Sequence, residues 1–152
     1  MITTVAQFTV LIPPVGKGRP VVTRTGAFTP TKTRNAEQAV RDAWDDAGRP
    51  KIDGPIDMTV WAYFARPKGH FTPKGVMSKK GTETPFPVVH PDWDNIGKLV
   101  ADALNKYAYA DDKAIVDGHV RKRWCDPEQS PCLVVQIRPM TAVSMIFDLV
   151  PQ

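Results

Sequence analysis

Short segments with β-favouring residue types, alternating or continuously apolar, predict the strands of this chain. They are residues 7–12, 58–64, 115–124 and 133–137. The 58–64 segment is apolar at nearly every position, so we expect it in the centre of a sheet. Residues 21–29 predict a hairpin with Gly26 near its tip.

A first helix is predicted between the hairpin and the second strand. Thr31 or Thr33 can cap its amino end, and Gly48 and Pro50 end it near residue 47. Its apolar side chains share one side, which we expect to face the sheet. They are Ala36, Ala39, Val40, Ala43 and Trp44.

A second helix is predicted from about Asp94 to residue 106, and its two faces differ in character. At about 100° per residue, its apolar side chains fall within an arc of roughly 140° and belong to the core. They are Ile96, Leu99, Val100, Ala103, Leu104 and Tyr107. The polar face is free to carry chemistry. It consists of Asp94, Lys98, Asp102 and Asn105.

These elements predict an α/β (α+β) fold, a small mixed sheet of about four to five strands with two main helices packed on it. The 152 residues suffice for a single domain, 1–152, with one core. Residues 66–89 are rich in Pro, Gly and Lys, and predict a solvated insertion or a basic arm that closes on a phosphate backbone. The apolar tail, 140–152, is expected to pack on the body or on a partner subunit.

Charge and cysteine content indicate the class of partner and the cellular compartment of the protein. The net charge of +4 and the pI near 9.2 favour a polyanionic partner. Cys125 and Cys132 lack zinc-site spacing and indicate reduced thiols. No apolar run approaches a membrane span, and no signal-peptide pattern opens the chain. We therefore expect a cytoplasmic protein with no membrane contact.

Acidic residues gather in two places on this basic chain: Asp92 and Asp94, then Asp111 and Asp112. Carboxylates repel one another, so a cluster indicates a cation, and Mg²⁺ or Mn²⁺ prefers such oxygen ligands. The simpler interpretation is that Asp94 caps the second helix and that the later pair forms a turn. Both interpretations remain open on spacing alone.

Lys98 lies one helical turn beyond Asp94, on the same face. It forms either a surface ion pair or a contact that neutralises phosphoryl oxygens during hydrolysis. Asp102, one turn further along, is a candidate partner that supports Lys98. The chain lacks a recognisable Ser or Cys nucleophile paired with His, which favours metal-assisted attack by water on a phosphodiester.

Four short motifs resemble the RusA-type Holliday junction resolvases, small proteins of bacteria and their phages. They are PDWDNIGK at 91–98, DALN at 102–105, DD at 111–112 and VD at 116–117. The family pattern is D-x-D-N-x-x-K, a helix with an internal D-A-L, a short turn, D-D and a strand. Every one of these positions is filled, and the similarity spans most of 5–139.

The resemblance implies a homodimeric endonuclease that uses Mg²⁺, with Mn²⁺ as a substitute, to cut four-way DNA junctions by paired symmetric nicks in recombination and repair. The family's metal-binding acids fall on Asp92, Asp94 and Asp112. Its essential lysine falls on Lys98, and Asp111 is a supporting position. A bacterial or phage-encoded protein is implied.

A two-fold protein suits a two-fold junction, because each subunit then cuts one strand. We expect phosphate contacts from basic residues of the loops, the hairpin and the first helix. They are Lys17, Arg19, Arg24, Lys32, Arg34, Lys74, Lys79 and Lys80. Two alternatives remain: a DNA-binding protein without catalysis, and a nuclease acting on flaps or other branched DNA.

Overall fold

The computed structural model describes residues 6–140, so nearly all of the predicted tail at 140–152 lies outside the described residues. In chain order the helices and strands are β1 (Ala6–Val10), β2 (Val21–Thr23), β3 (Gly26–Phe28), α1 (Thr31–Asp46), β4 (Ile56–Phe64), α2 (Lys79–Thr82), α3 (Trp93–Leu104), β5 (Ile115–Trp124) and β6 (Cys132–Pro139). Two short 3-10 turns cover Lys68–His70 and Asp112–Ala114.

The main sheet has four strands in the order β1-β6-β4-β5. β6 runs antiparallel to both β1 and β4, whereas β4 and β5 are parallel. β2 and β3 form a separate antiparallel pair, the predicted hairpin. The predicted α/β (α+β) fold, with a mixed sheet and two main helices, is therefore confirmed, and β4 is central as expected.

The core lies between the sheet and the apolar faces of α1 and α3. Five of the six apolar residues predicted for the second helix are completely buried. They are Ile96, Leu99, Val100, Ala103 and Leu104. The sixth, Tyr107, is half exposed, because α3 ends at Leu104 and Lys106 takes a left-handed φ of 68°. The predicted end near residue 106 is therefore too late.

The start of α1 differs from the threonine cap that the sequence predicts. Pro30 occupies the N-cap position, and no side chain caps the helix. Thr33 is buried, and its hydroxyl accepts a hydrogen bond from the Gly18 amide at 3.2 Å. Its role is therefore to hold the preceding loop against the helix.

Residues 66–89, for which the sequence predicts a solvated insertion or a basic arm, form a segment with specific contacts to the sheet. The Arg66 guanidinium donates to the carbonyl oxygens of Gly81 and Thr84 at 3.2 and 3.1 Å. It also lies 5.3 Å from the centre of the Trp124 ring. The indole of Trp124 donates to the Thr84 carbonyl at 2.9 Å. These contacts fix the segment against β5.

His70 is the buried centre of this segment, with 3% of its surface exposed. Its ring packs edge-on against Trp124, with the ring centres 5.4 Å apart. Burial, together with the charges of Arg66 and Lys80, lowers the pKa of His70. The segment is thus held by polar and aromatic groups rather than by an apolar stripe.

Candidate active site

A cleft of about 330 Å³ lies between the polar face of α3 and the amino-terminal half of β5. We call it the α3 cleft. Four of the predicted site residues line it together, and His119 lines it as well. The four are Asp94, Lys98, Asp102 and Asp112. The helix and the turn that follows it therefore bring together acids and a lysine that lie apart in the sequence.

The spacing of α3 explains three of these positions, because residues four apart share one face of a helix. Asp112 arrives by a different route. Tyr109 is buried and donates from its hydroxyl to the Ala101 carbonyl at 2.7 Å, which fastens the returning chain to the helix. Burial first, then the charges of Asp112 and Asp102, raises the pKa of Tyr109 far above its usual range.

A glycine lets α3 lie close to β5 at the floor of the α3 cleft. A Cβ on Gly97 would lie 3.1 Å from Cγ2 of Val120, which is tighter than most carbon contacts. The small residue therefore permits this approach of helix and strand. It also keeps the Asp94 and Lys98 side chains near the turn that carries Asp112.

The charges of the site are arranged around Asp102. Its Oδ2 atom lies 3.0 Å from the Lys17 ammonium and 3.9 Å from the Lys98 ammonium. Lys17 also lies 2.5 Å from Glu37 Oε1. Burial lowers the pKa of Lys17, but the hydrogen bonds and charges of Glu37 and Asp102 outweigh it and raise the pKa overall. Lys17 is therefore occupied within the protein, whereas Lys98 is 62% exposed.

Asp111 stands at the edge of the site and does not line the α3 cleft. It caps the 3-10 turn that begins at Asp112, since its Oδ1 accepts from the Lys113 amide at 2.9 Å. This hydrogen bond is the main reason that the pKa of Asp111 lies below its usual value. Its position supports the turn that carries Asp112.

Asp92 is separated from the other predicted acids by the start of the helix. It occupies the N-cap position, and α3 begins at Trp93, so the interpretation of Asp94 as the cap is wrong. Trp93 and Asp94 are helical, so Asp92 and Asp94 do not share one face of an extended segment. Asp92 lines a neighbouring cleft of about 570 Å³ and lies 3.0 Å from His90 Nδ1.

The predicted phosphate contacts, apart from Lys17, are exposed. Arg24 lies in the turn between β2 and β3, and Lys32 and Arg34 lie in the first turn of α1. The remaining exposed residues come from the amino-terminal loop and from the 66–89 segment. They are Arg19, Lys74, Lys79 and Lys80.

Another group of residues that could hold a metal ion lies where β4 and β5 pair, and the sequence interpretation did not propose it as a metal site. Asp57, Asp117 and His119 each offer a ligand atom, and these atoms lie within 4.8 Å of one another. Asp117 and His119 are two residues apart in β5, a spacing that puts both side chains on one face of a strand. That spacing, together with a carboxylate inside the apolar β4 segment, is the available signal.

Between residues 6 and 140, none of the helices combines the length and the apolar character needed to cross a bilayer.

Matches to known proteins cover most of the residues that the structure describes. The family model described as endodeoxyribonuclease RusA matches residues 12–138. A Bacillus subtilis (strain 168) protein, described as uncharacterized protein YqaN, is 34% identical over 142 residues. That match covers 90% of this chain and 97% of the relative. All residues that line the α3 cleft fall inside the matched range.

Proposed function

The chain belongs to the RusA family of endodeoxyribonucleases, and we propose that it resolves four-way DNA junctions by metal-dependent hydrolysis of phosphodiester bonds. The observation that carries the proposal is the α3 cleft. Asp94, Lys98 and Asp112 line it together, although the helix and the turn that supply them are separate elements. Carboxylates and an exposed ammonium in one cleft suit a phosphate group with a divalent cation.

Asp92, Asp94 and Asp112 are the proposed ligands for Mg²⁺, with Mn²⁺ as a substitute. The donor set fits, since carboxylate oxygens are the ligands that both ions prefer. When bound, such an ion lowers the pKa of an attacking water and shields charge on the phosphate. Asp94 and Asp112 line one cleft and Asp92 lies just before the same helix, so the proposal requires Asp92 to reach toward its neighbours.

Lys98 is the proposed contact for a phosphoryl oxygen. Its ammonium is exposed and lies 3.9 Å from the Asp102 carboxylate, a surface ion pair worth only about 0.5 kcal/mol. A phosphate that enters the cleft therefore competes with a weak pair. Since Lys17 already compensates Asp102, Lys98 is available to stabilise the charge that develops on the phosphate as the bond breaks.

Junction DNA is the proposed substrate, and the exposed basic residues are its proposed contacts. Each neutralised phosphate releases counterions, so affinity should fall steeply as salt increases. We also propose a homodimer, because two equivalent sites suit paired nicks in a two-fold substrate. Sedimentation analysis tests the homodimer, and cleavage of a plasmid cruciform tests paired nicking. Linearisation of the plasmid in one binding event supports paired nicking, and nicked circles alone contradict it.

A direct test compares a mobile four-way junction, a flap and a linear duplex, each with Mg²⁺ or with EDTA. Junction cleavage that requires Mg²⁺ is the expected result. Equal cleavage of linear duplex would remove the junction assignment but keep the chemistry. Binding without cleavage of any substrate in Mg²⁺ or Mn²⁺ would favour a DNA-binding protein that is not a nuclease.

Variants test the residues of the cleft. Asp94→Asn and Asp112→Asn should each lower cleavage by about 100-fold or more, while junction binding survives because negative charge is removed. Asp53→Asn is the matched control, since this exposed aspartate undergoes the same change outside the clefts. Circular dichroism checks that each variant is folded. Full activity of Asp94→Asn would contradict the assignment.

A further inference from the structure

Three strands of the main sheet bring ionisable side chains together at one end. Asp57 of β4 pairs with Asp117 of β5 on one side and with Arg138 of β6 on the other. His119 follows two residues after Asp117, opposite Thr59. Side chains at paired positions of adjacent strands share a face, so these groups converge.

Two members of this group, Asp57 and Asp117, do not line the α3 cleft. Met58, Gly118 and Val120 line it, and Asp57 and Asp117 occupy strand positions of the opposite alternation, whose side chains point to the other side of the sheet. The group is therefore separate from the carboxylates of the α3 cleft, although His119 also borders that cleft.

The geometry of the three potential ligands suits a metal ion. Their ligand atoms lie within 4.8 Å of one another, so small side-chain rotations would bring all three into contact with one ion. His119 Nε2 lies 3.0 Å from Asp117 Oδ1, and both side chains are partly exposed. An ion from solvent can thus reach them from the β5 side.

Asp57 supplies an independent observation. Its side chain is only 6% exposed, and its Oδ2 atom is held by the Arg138 guanidinium. Its other oxygen, Oδ1, is buried and accepts no hydrogen bond from the residues between 6 and 140. A buried acceptor without a partner is costly, so natural structures usually satisfy it with a protein group, a water or an ion.

We propose that Asp57, Asp117 and His119 form a second metal site that takes a first-row transition-metal dication, such as Zn²⁺ or Mn²⁺. An imidazole ligand favours these ions over Mg²⁺ and Ca²⁺, which prefer oxygen donors only. Three protein ligands leave at least one position for water. Arg138 offsets one carboxylate, and the remaining negative charge favours a dication.

Binding at this site has a structural consequence for the α3 cleft. The ion would join β4 to the beginning of β5, directly after the turn that carries Asp112. A ligand that binds only the folded state raises its stability. The second site therefore stabilises the strand that positions Asp112, and this inference does not depend on the proposed nuclease activity.

The test uses the full chain with Asp94→Asn and Asp112→Asn, which removes two of the three proposed Mg²⁺ ligands, after metal is stripped with EDTA. Calorimetric titration should show one Zn²⁺ or Mn²⁺ per chain, with Mg²⁺ at least about tenfold weaker. The melting temperature should rise by about 5–10 °C at a hundredfold excess of Zn²⁺ over its dissociation constant. Failure of this protein to bind Zn²⁺ or Mn²⁺ would overturn the second site.

His119→Gln in the same background should abolish the titration and the shift in melting temperature, whereas Asp53→Asn should leave both unchanged. Wild-type stoichiometry in His119→Gln would overturn the inference. A second measurement covers a variant that does not fold. On Zn²⁺ addition to the unmodified chain, the NMR imidazole signals of His119 should shift, and those of the buried His70 should not. Unchanged His119 signals would also overturn the proposal.

Discussion

Replacing Lys17 with Met tests whether this lysine stabilises the fold or contacts DNA. In the structure its ammonium lies 2.5 Å from Glu37 Oε1 and 3.0 Å from Asp102 Oδ2. The side chains of Lys17, Glu37 and Asp102 are only 21%, 14% and 22% exposed. Lys17→Met keeps the aliphatic stem but leaves two largely covered carboxylates without their shared cation.

The expected loss of unfolding free energy follows from the burial of these three side chains. Breaking a fully buried pair costs about 3–5 kcal/mol, and breaking an exposed one about 0.2–1 kcal/mol. A network with about a fifth of each side chain exposed lies between these limits, so we expect a loss of about 2 kcal/mol. For a chain of this length that loss lowers the melting temperature by about 4–8 °C.

Urea unfolding of Lys17→Met measures this loss, and Lys32→Met is the matched control. Lys32 is exposed at the start of α1, so its replacement should change the unfolding free energy by less than about 0.5 kcal/mol. Lys17→Met combined with Glu37→Gln should recover part of the loss, because one uncompensated charge is then removed.

The stabilisation that Lys17 contributes to the folded state should decrease at high pH. Because the folded protein raises the pKa of Lys17 above 10.5, the stabilisation is fully present below that value. It is lost as the pH rises through the raised pKa of the folded state. One result would refute a structural role for Lys17. In that result, Lys17→Met leaves the unfolding free energy unchanged, weakens junction binding, and lowers the slope of log affinity against log salt concentration by about one. Lys17 would then be the phosphate contact that the sequence predicts.

Three further changes probe the folded 66–89 segment and the turn before β5. Gly81→Ala should cost about 2 kcal/mol in urea unfolding, because the added Cβ would lie 2.4 Å from the His70 carbonyl oxygen; Gly69→Ala, with open space around it, should not. Arg66→Met should expose the segment to limited proteolysis, since the carbonyl groups of Gly81 and Thr84 each lose one of their donors; unchanged cleavage would contradict this anchoring role. Asp111→Ala should lower the unfolding free energy near pH 7. The difference in unfolding free energy between this variant and the unmodified chain should shrink as the pH falls. The pKa of Asp111 is lowered in the folded protein, so its stabilisation is lost only when the carboxylate is protonated.

Apolar periodicity predicts the core elements well, because burial of apolar side chains decides where they lie. The stripe from Ile96 to Leu104 is buried as expected, and the apolar run at 58–64 forms the central strand. The ends of α3 are less predictable. The carboxyl end depends on the left-handed backbone of Lys106, which its residue type does not indicate. At the amino end Asp92 and Asp94 are both of a type that favours the N-cap, so residue type alone does not choose Asp92.

The 66–89 segment shows what such periodicity cannot predict. Its anchors are Arg66, His70 and the distant Trp124, which meet through hydrogen bonds and ring contacts. Arginine is mostly exposed, and single histidine and tryptophan residues form no apolar stripe, so the segment resembles a loop in the sequence. Only the tertiary structure supplies the carbonyl acceptors that make burial of the Arg66 guanidinium favourable.

Part of the candidate site is predictable from local sequence patterns, and part depends on the tertiary structure. Helical spacing predicts the shared face of Asp94, Lys98 and Asp102, and all three line one cleft. The meeting of Asp57 with Asp117 depends on the register of two parallel strands that are distant in sequence. Local patterns carry no information on that register.

Asp102 connects the stability of the fold to the chemistry proposed for the cleft. One of its oxygens faces both lysines, but the shorter contact is with Lys17, which Glu37 also holds in place. Lys98 is therefore not required to compensate Asp102. If Lys17 is removed, Lys98 becomes the nearest available cation for that carboxylate and should be drawn toward it. Lys17→Met should then slow junction cleavage even under conditions where the protein remains folded and DNA binding is saturated.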